Sequence, residues 1–265
     1  MRFVSIASGS SGNCIYAGTE SAHLLVDAGI SAKRIEKGLN EVGLKPSELS
    51  AICVTHEHSD HIKGLGVLAR KYAVPIYATE GTIRELKKNK TLGEYPQELF
   101  HAIRPDVDFL VGDMTVKPFH IDHDAADPVA YRIQCGRKSV AVATDLGHYD
   151  QYIVDHLLDL DAVLLESNHD LRMLETGPYP YPLKRRIMGD YGHLSNDNAG
   201  RLLSCIANDK LKHVLLGHLS KENNLPELAY ETVRLEVDMG ECPYRASDFH
   251  IQVARRDEMS EILTI

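Results

Sequence analysis

One short segment of the chain constrains its fold and its chemistry more than any other. Within six positions it carries four side chains that commonly bind metals: His56, His58, Asp60 and His61. The segment directly follows residues 50–55, an apolar run of the kind that forms a buried strand. Two histidines at i and i+2 can face the same side as a chain leaves a strand and bind one cation, while the next two ligands begin a second site. The sequence therefore predicts a metal centre at the end of an interior strand.

The ligand types indicate which metals this centre can hold. Imidazole and carboxylate groups together suit Zn²⁺, and they accept Mn²⁺ and Fe²⁺ as well. The chain has a formal net charge of -9, which argues against broad, salt-driven binding of nucleic acid. Two divalent cations would add about +4 of charge at the place where an anionic substrate must sit. Net charge therefore leaves the substrate class open.

The cysteines and the apolar segments bear on the compartment in which the protein works. Five scattered cysteines with no CxxC spacing are typical of reduced thiols in a reducing environment. The N-terminus lacks the pattern of a secretory signal, and no apolar run approaches the roughly 20 residues that cross a bilayer. We therefore expect a cytoplasmic protein that does not associate with membranes.

The order of the predicted elements indicates the fold class. Early strands are predicted over residues 2–7 and 23–26, and helices over 32–42 and 62–72. Further strands follow in the middle of the chain, and helices and strands then alternate towards its end. No repeat or linker divides residues 1–265. We expect a single α/β domain, an αββα sandwich of two facing mixed sheets with helices outside.

The HxHxDH segment, together with Asp27 at the end of its own predicted strand, resembles the signature of the metallo-β-lactamase superfamily. The likeness extends over essentially the whole chain. It implies that the first metal is bound by His56, His58 and His123. It implies that the second metal is bound by Asp60, His61 and His218, with Asp145 bridging the two ions. The later positions each lie at the end of a predicted strand, where a site is also expected from the residues alone.

The chemistry implied by this resemblance is hydrolysis through a metal-bound hydroxide, because a water shared by two divalent cations loses a proton near neutral pH. Asp60 is expected to orient that hydroxide. For Asp27 two roles stay open: it orients ligand histidines by hydrogen bonding, or it is a turn residue before Gly29. No flavin or nucleotide cofactor is expected.

Three further segments bear on the substrate. Residues 192–195, GHLS, resemble the nuclease branch of the superfamily, including tRNA 3′-processing enzymes, in which such a histidine, here His193, donates a proton to the leaving group. The loop that contains Ser10, Ser11 and Asn13 forms either a cradle for an anion or a plain tight turn. His169, which follows another predicted strand, either lines the site and reaches a metal or makes a structural hydrogen bond.

Several motifs taken together narrow the resemblance. They are SGSSGN, VTHEHSDH, HDAADP, TDLG, ESNHD and GHLSN. Together they closely resemble the YycJ/WalJ subfamily of bacterial cytoplasmic proteins, which are regarded as 5′→3′ DNA exonucleases, and this implies that the substrate is an end of DNA. Longer nuclease members have an inserted domain that clamps nucleic acid, and this chain has no room for one. We hypothesise that residues 184–186, Lys-Arg-Arg, contact phosphates near the site.

Other interpretations stay open at this point. The same metals serve small-molecule hydrolases, including cyclic or nucleotide phosphodiesterases, lactonases, thioesterases and β-lactamases. The histidine of the GHLS segment favours phosphodiesters, because the loss of an alkoxide benefits from a proton donor. A di-iron redox enzyme would commonly have a carboxylate in place of His58, and a binding protein without activity would usually have lost ligands. The sequence leaves the native metal, the polarity of digestion and the oligomeric state undetermined.

Overall fold

The computed structural model describes all residues from Met1 to Ile265. The first elements are β1 (Arg2–Ala7), β2 (Cys14–Gly18), β3 (His23–Val26), α1 (Ala32–Glu41), β4 (Ala51–Cys53), α2 (Ser59–Ile62), α3 (Leu65–Tyr72), β5 (Ile76–Thr79), α4 (Glu80–Lys88), β6 (Phe100–Ile103), β7 (Phe109–Val111), β8 (Met114–His120) and β9 (Val129–Cys135). They are followed by β10 (Lys138–Ala143), α5 (Gln151–Leu157), β11 (Ala162–Glu166), α6 (Leu171–Thr176), α7 (Tyr181–Met188), α8 (Asn196–Ile206), β12 (His213–Gly217), α9 (Pro226–Met239), β13 (His250–Val253) and β14 (Leu263–Thr264). The strands form two seven-stranded mixed sheets, which confirms the predicted α/β class. None of the helices has the length and apolar character to cross a membrane.

The chain forms two compact units, of which the first comprises residues 1–120, 125–138 and 255–265. Its complete sheet has the order β14-β1-β2-β3-β4-β5-β6, in which β3 to β6 run parallel. Parallel strands are usually covered on both faces and therefore apolar along their length, and β4 is buried throughout. Helices α1 and α3 contribute Ile35 and Leu68 to the same hydrophobic core. Strands β7 to β9 form an antiparallel meander within this unit.

The second unit comprises residues 121–124 and 139–254. Its strands β10, β11, β12 and β13 are neighbours in that order, and all run parallel. The carboxyl ends of parallel strands meet at one edge of a sheet, so the residues that follow β10, β11 and β12 lie close together. Helix α8 begins after Ser195, whose hydroxyl accepts a hydrogen bond from the Asn198 backbone N–H at 3.2 Å. Serine is one of the residues preferred at such an N-cap, because its hydroxyl satisfies a backbone N–H of the first turn.

Three of the polar residues at strand ends have a left-handed backbone. Asp27 follows β3 with a φ of 63°, Asp145 follows β10 with a φ of 61°, and His218 follows β12 with a φ of 56°. Residues with a Cβ rarely adopt this conformation, and where they do the surrounding structure must hold it. All three are among the residues that the sequence predicts for the site.

A glycine stands two positions after each of the two aspartates. At Gly29 a Cβ would lie 1.6 Å from the Asp60 carbonyl oxygen, and at Gly147 it would lie 1.8 Å from the Asp190 carbonyl oxygen. Neither distance can accommodate a side chain, and in both cases the obstacle is backbone. In each unit the turn therefore packs directly against the main chain of a second segment.

Two details differ from the sequence prediction. The helix predicted over residues 62–72 is interrupted, because the Gly64 backbone N–H donates to the Ala28 carbonyl at 2.7 Å instead of continuing one helix. Helix α7 was not predicted, since prolines at 178, 180 and 182 are typical of irregular chain. In the structure Pro182 occupies the first turn of α7, where the lack of a backbone N–H costs nothing.

Candidate metal centre

In the first unit the segment after β4 brings His56 and His58 together. Their Nε2 and Nδ1 atoms, respectively, are 3.1 Å apart. Two nitrogen ligands of one tetrahedral Zn²⁺ would be separated by roughly 3.3 Å, given metal–nitrogen bonds of about 2.0–2.1 Å. The spacing of this pair therefore fits two ligands of one ion.

Thr55 fixes which nitrogen of His56 faces its partner. The Thr55 hydroxyl donates to Asp27 Oδ2 at 2.9 Å, so its oxygen accepts the Nδ1–H of His56, 3.0 Å away. A proton held on Nδ1 places the lone pair on Nε2, the nitrogen that faces His58. This is the tautomer that a metal requires.

His61 is held in the same way by Asp27. Its Nδ1–H donates to Asp27 Oδ2 at 2.7 Å, and the carboxylate also accepts the Thr55 backbone N–H on Oδ1 at 2.8 Å. Burial raises the pKa of Asp27, against the lowering effects of His61 and Thr55. Of the two roles left open for Asp27, the contacts are those of a residue that orients a histidine, although it also occupies a turn.

The loop of residues 8–13, which is rich in serine and glycine, lies beside His61. Asn13 is buried, its side-chain oxygen accepts the Gly9 backbone N–H at 3.1 Å, and its amide nitrogen lies 3.2 Å from His61 Nε2. Ser10 and Ser11 are exposed at the tip of the loop. Asn13 is thus the residue through which the loop contacts His61. Its hydrogen bond with Gly9 also makes the loop a tight turn.

Asp60 lies at the start of α2, in the same segment. Its side chain is partly exposed, and its Oδ2 atom is 3.5 Å from His61 Nε2. The Asp60 backbone carbonyl accepts a hydrogen bond from the Asn13 N–H at 2.8 Å. The side chain therefore reaches the nitrogen of His61 that is turned away from Asp27, while its backbone is fixed by the neighbouring loop.

In the second unit the residues after β10 and β12 meet. Asp145 Oδ2 lies 3.3 Å from His218 Nδ1, and Asp145 Oδ1 lies 3.7 Å from His123 Nε2. The Nδ1–H of His123 donates to the Gly192 carbonyl at 3.1 Å. A backbone carbonyl thus orients His123 so that its Nε2 faces the carboxylate, and each of the two distances suits a pair of donors that share a cation.

His193 stands beside this group and is held by a residue that sequence reasoning missed. Its Nδ1–H donates to Glu166 Oε1 at 2.8 Å, and Asp145 Oδ1 is 3.6 Å from the same nitrogen. Glu166 is wholly buried, and its second oxygen accepts the backbone N–H groups of Leu146 and Leu194. A carboxylate with three donors is rigidly placed, so it fixes the orientation and the tautomer of His193.

A detectable signal for Glu166 exists in the sequence. It is the one charged residue of β11, which reads AVLLE and is buried along its whole length. Charged residues are almost never fully buried without a partner. Thr55, also overlooked, gives a weaker signal, because threonine is common in strands.

His169 is buried in the second unit but belongs to none of its groups of candidate ligand atoms. Burial, together with the nearby charge of His193, lowers its pKa to about 4. Its Nδ1 lies 3.3 Å from Asn168 Oδ1, and its backbone carbonyl accepts the Asn196 N–H at 2.9 Å. These contacts are those of a neutral, structural histidine that anchors the start of α8.

The donors in each unit fit a divalent metal. In the second unit one ligand atom from each of four side chains lies within 4.8 Å of the others: Asp145, Glu166, His193 and His218. In the first unit the tautomers of His56 and His61 are fixed from behind by Thr55 and Asp27. Nitrogen and carboxylate oxygen donors with such supporting hydrogen bonds are typical of Zn²⁺, Mn²⁺ or Fe²⁺ sites.

Comparison with known proteins gives a consistent result. A family model described as a beta-lactamase superfamily domain matches residues 23–218. Exodeoxyribonuclease WalJ of Streptococcus pneumoniae serotype 2 strain D39 is 42% identical over 86% of this chain and 85% of its own length. Exodeoxyribonuclease YycJ of Bacillus anthracis is 41% identical over 88% of each chain. The metallo-β-lactamase fold protein YhfI from Bacillus subtilis superposes with a TM-score of 0.69 over 98% of both chains, at 18% identity, which confirms the predicted fold.

Proposed function

This chain belongs to the β-lactamase superfamily and, within it, to the family of WalJ and YycJ, and on that premise we propose that it is an exonuclease that shortens DNA from the 5′ end. It is a metal-dependent hydrolase. The names of the relatives support DNA as the substrate, and the ligand types of both units support the metal dependence. All five cysteines are free thiols, as is common in a reducing compartment, and we place the enzyme in the cytoplasm.

The proposed centre holds two divalent ions, Zn²⁺ or Mn²⁺, with Fe²⁺ as a further possibility. The first ion would be held by His56, His58 and His123. The second would be held by Asp60, His61 and His218, with Asp145 shared between the two. When bound, such ions supply an acidified water and positive charge for the phosphate. The superfamily pattern supports this assignment, and so do the donor distances found within each unit.

The observation that carries the choice of a phosphodiester is the pairing of His193 with Glu166. The buried carboxylate accepts the Nδ1–H of His193 at 2.8 Å, which leaves Nε2 as the nitrogen that would take up and donate a second proton. A DNA 3′ or 5′ oxygen that leaves phosphorus needs a proton, and a positioned imidazole can supply it near neutral pH. In this proposal His193 is the general acid and Glu166 is the residue that positions it.

Asp60 is the second catalytic residue that we propose. Its partly exposed carboxylate, beside His61 Nε2, can accept a hydrogen bond from the attacking water and so turn its lone pair towards phosphorus. Its fixed backbone, held by the Asn13 N–H, keeps that carboxylate in place during the reaction.

The decisive experiment is hydrolysis of DNA labelled at its 3′ end, with Mn²⁺ or Zn²⁺ added and Asp145→Ala as the control. A panel of small diesters, lactones and thioesters is assayed in parallel. We expect stepwise shortening from the 5′ end that the substitution abolishes. If DNA stays intact while a small ester is turned over rapidly, the proposed metal centre would stand and the proposed exonuclease activity would be rejected.

A second variant separates the proton donor from the ligands. His193→Ala should keep both metal ions, measured by elemental analysis after dialysis, and lose roughly 100-fold or more in turnover. If this variant instead loses its metal ions, His193 would be a metal ligand, because its side chain belongs to one of the groups of candidate ligand atoms.

A further inference from the structure

Helix α7 has no buried residue. Its residues Tyr181, Arg185 and Met188 are spaced i, i+4 and i+7, so they share one helical face. Tyr181 is 70% exposed and Met188 is 43% exposed, and Arg185 is exposed between them. Large apolar side chains clustered on a surface mark a place where something binds.

The charges of α7 are all positive, but its three basic residues differ in their contacts. Lys184 donates to the carbonyls of Glu175 and Gly177 at 2.7 Å, and it thus holds the end of α6. Arg186 pairs with Asp124, the neighbour of His123. Arg185 lies on the exposed face with the tyrosine and the methionine, so it is the cation that a ligand on this face would meet.

A further exposed aromatic residue stands between α7 and the proposed proton donor in the chain. Tyr191, which follows α7, is 61% exposed, and the next residue, Gly192, accepts the hydrogen bond from His123. His193 comes directly after. Two residues of chain span at most about 7 Å, so a ligand that rests on Tyr191 is next to the side chain that would protonate the leaving group.

We infer that Tyr181, Arg185, Met188 and Tyr191 form a platform for the DNA strand that leads to the scissile bond. We call this set the α7 platform. Bases stack on the two tyrosines and Met188, and Arg185 binds a phosphate between them. The positive charge on a helix without any acidic residue, in a chain of net charge -9, favours a polyanion over a second copy of this chain. The inference rests on the proposed exonuclease activity.

The test compares two substrates of the metal-loaded enzyme. For single-stranded DNA, Tyr181→Ala and Tyr191→Ala should each raise KM by roughly 10-fold, because stacking on one aromatic ring contributes strongly to binding. Arg185→Gln should reduce the slope of log KM against log salt by roughly 0.7, the value for one phosphate contact with a single strand. The turnover of bis(4-nitrophenyl) phosphate, which is too short to reach the platform, should not change.

Matched controls come from exposed residues elsewhere. Tyr230→Ala removes an exposed tyrosine of α9, and Arg137→Gln removes one exposed arginine from the short segment between β9 and β10. Both should leave KM and its salt dependence unchanged. Equal effects of the control and platform variants would show a general loss of surface charge or fold, and would overturn the platform.

Failure of the platform and failure of the proposed function give different results. Wild-type enzyme that shortens DNA, with platform variants of unchanged KM, overturns the platform alone. Wild-type enzyme that turns over the small diester but does not act on DNA overturns the exonuclease and the platform with it. Platform variants that convert a dimer into a monomer at unchanged KM assign this face to self-association and overturn the platform as well.

Discussion

The turn after β3 and the turn after β10 have the same construction. Each places an aspartate in the left-handed conformation, Asp27 at a φ of 63° and Asp145 at a φ of 61°, and each has a glycine two residues later that packs against backbone. The surroundings of the two carboxylates differ. Asp27 accepts hydrogen bonds from Thr55 and His61, whereas Asp145 lies among several histidine nitrogens.

This difference shows that the same turn conformation can hold either a residue that orients a histidine or a residue that faces the metal-binding nitrogens. The partners of Asp27 donate hydrogen bonds to it, so it acts through the histidine that it orients. In the second unit that supporting role belongs to Glu166, which holds His193, and to the Gly192 carbonyl, which holds His123. Asp145 is thereby left to face the nitrogens that a metal would share with it. The neighbours, and not the turn, decide the role.

The largest effect is expected for Asp145→Asn. The substitution keeps the shape of the side chain and removes the negative charge that faces the histidines, so metal binding and turnover should both fall, turnover by about 1,000-fold or more. Hydrolysis of labelled DNA and elemental analysis measure the two effects. Near-normal metal content and activity would contradict the proposal that Asp145 binds metal while Asp27 only orients a histidine.

The next largest effect is expected for Glu166→Gln. The amide can still contact His193, but it no longer holds a protonated imidazole, and turnover should fall by roughly 100-fold while the metals remain bound. The double variant with His193→Ala should be no slower than His193→Ala alone, because both changes act on one proton donor. Additive losses in that pair would assign Glu166 a separate role.

Asp27→Asn should affect stability more than chemistry. It removes the charge that accepts hydrogen bonds from Thr55 and His61, and a buried network broken in this way costs about 2–3 kcal/mol in the free energy of unfolding. Metal affinity should fall by roughly 10–100-fold, as for other residues that orient a ligand. Urea unfolding of the metal-free protein and metal titration measure these changes. Stability and metal affinity equal to those of wild type would contradict the role of Asp27 in orienting His61.

The smallest effect is expected for Thr55→Val. The backbone N–H of residue 55 still donates to Asp27, and only the hydroxyl is lost, so unfolding should become easier by about 1 kcal/mol. Thr55→Ser, which keeps the hydroxyl, should restore most of that difference. Urea unfolding of the two variants measures it, and equal stabilities would mean that the hydroxyl does not orient His56.

The sequence predicts the fold class and the segment after β4 because both depend on local patterns: apolar strands, and four ligand-type residues directly after one of them. It leaves Asp27 between two roles, since hydrogen bonds to Thr55 and His61 form across 28 and 34 positions of the chain. The role of Glu166 was not predicted for the same reason, because its partner His193 is 27 residues away in the chain. Helix α7 was not predicted because proline is typical of irregular chain. A helix accepts proline without loss only in its first turn, which is where Pro182 lies.

The close approach of Gly29 to the Asp60 carbonyl and of Gly147 to the Asp190 carbonyl has a consequence for how such a protein can change over time. Neither glycine contributes an atom to the proposed chemistry, yet any larger residue would push a segment that carries a functional side chain. In a saturation library selected for activity, these two positions should tolerate as few replacements as the ligands themselves. Mutational intolerance alone would therefore overstate the size of the reactive centre.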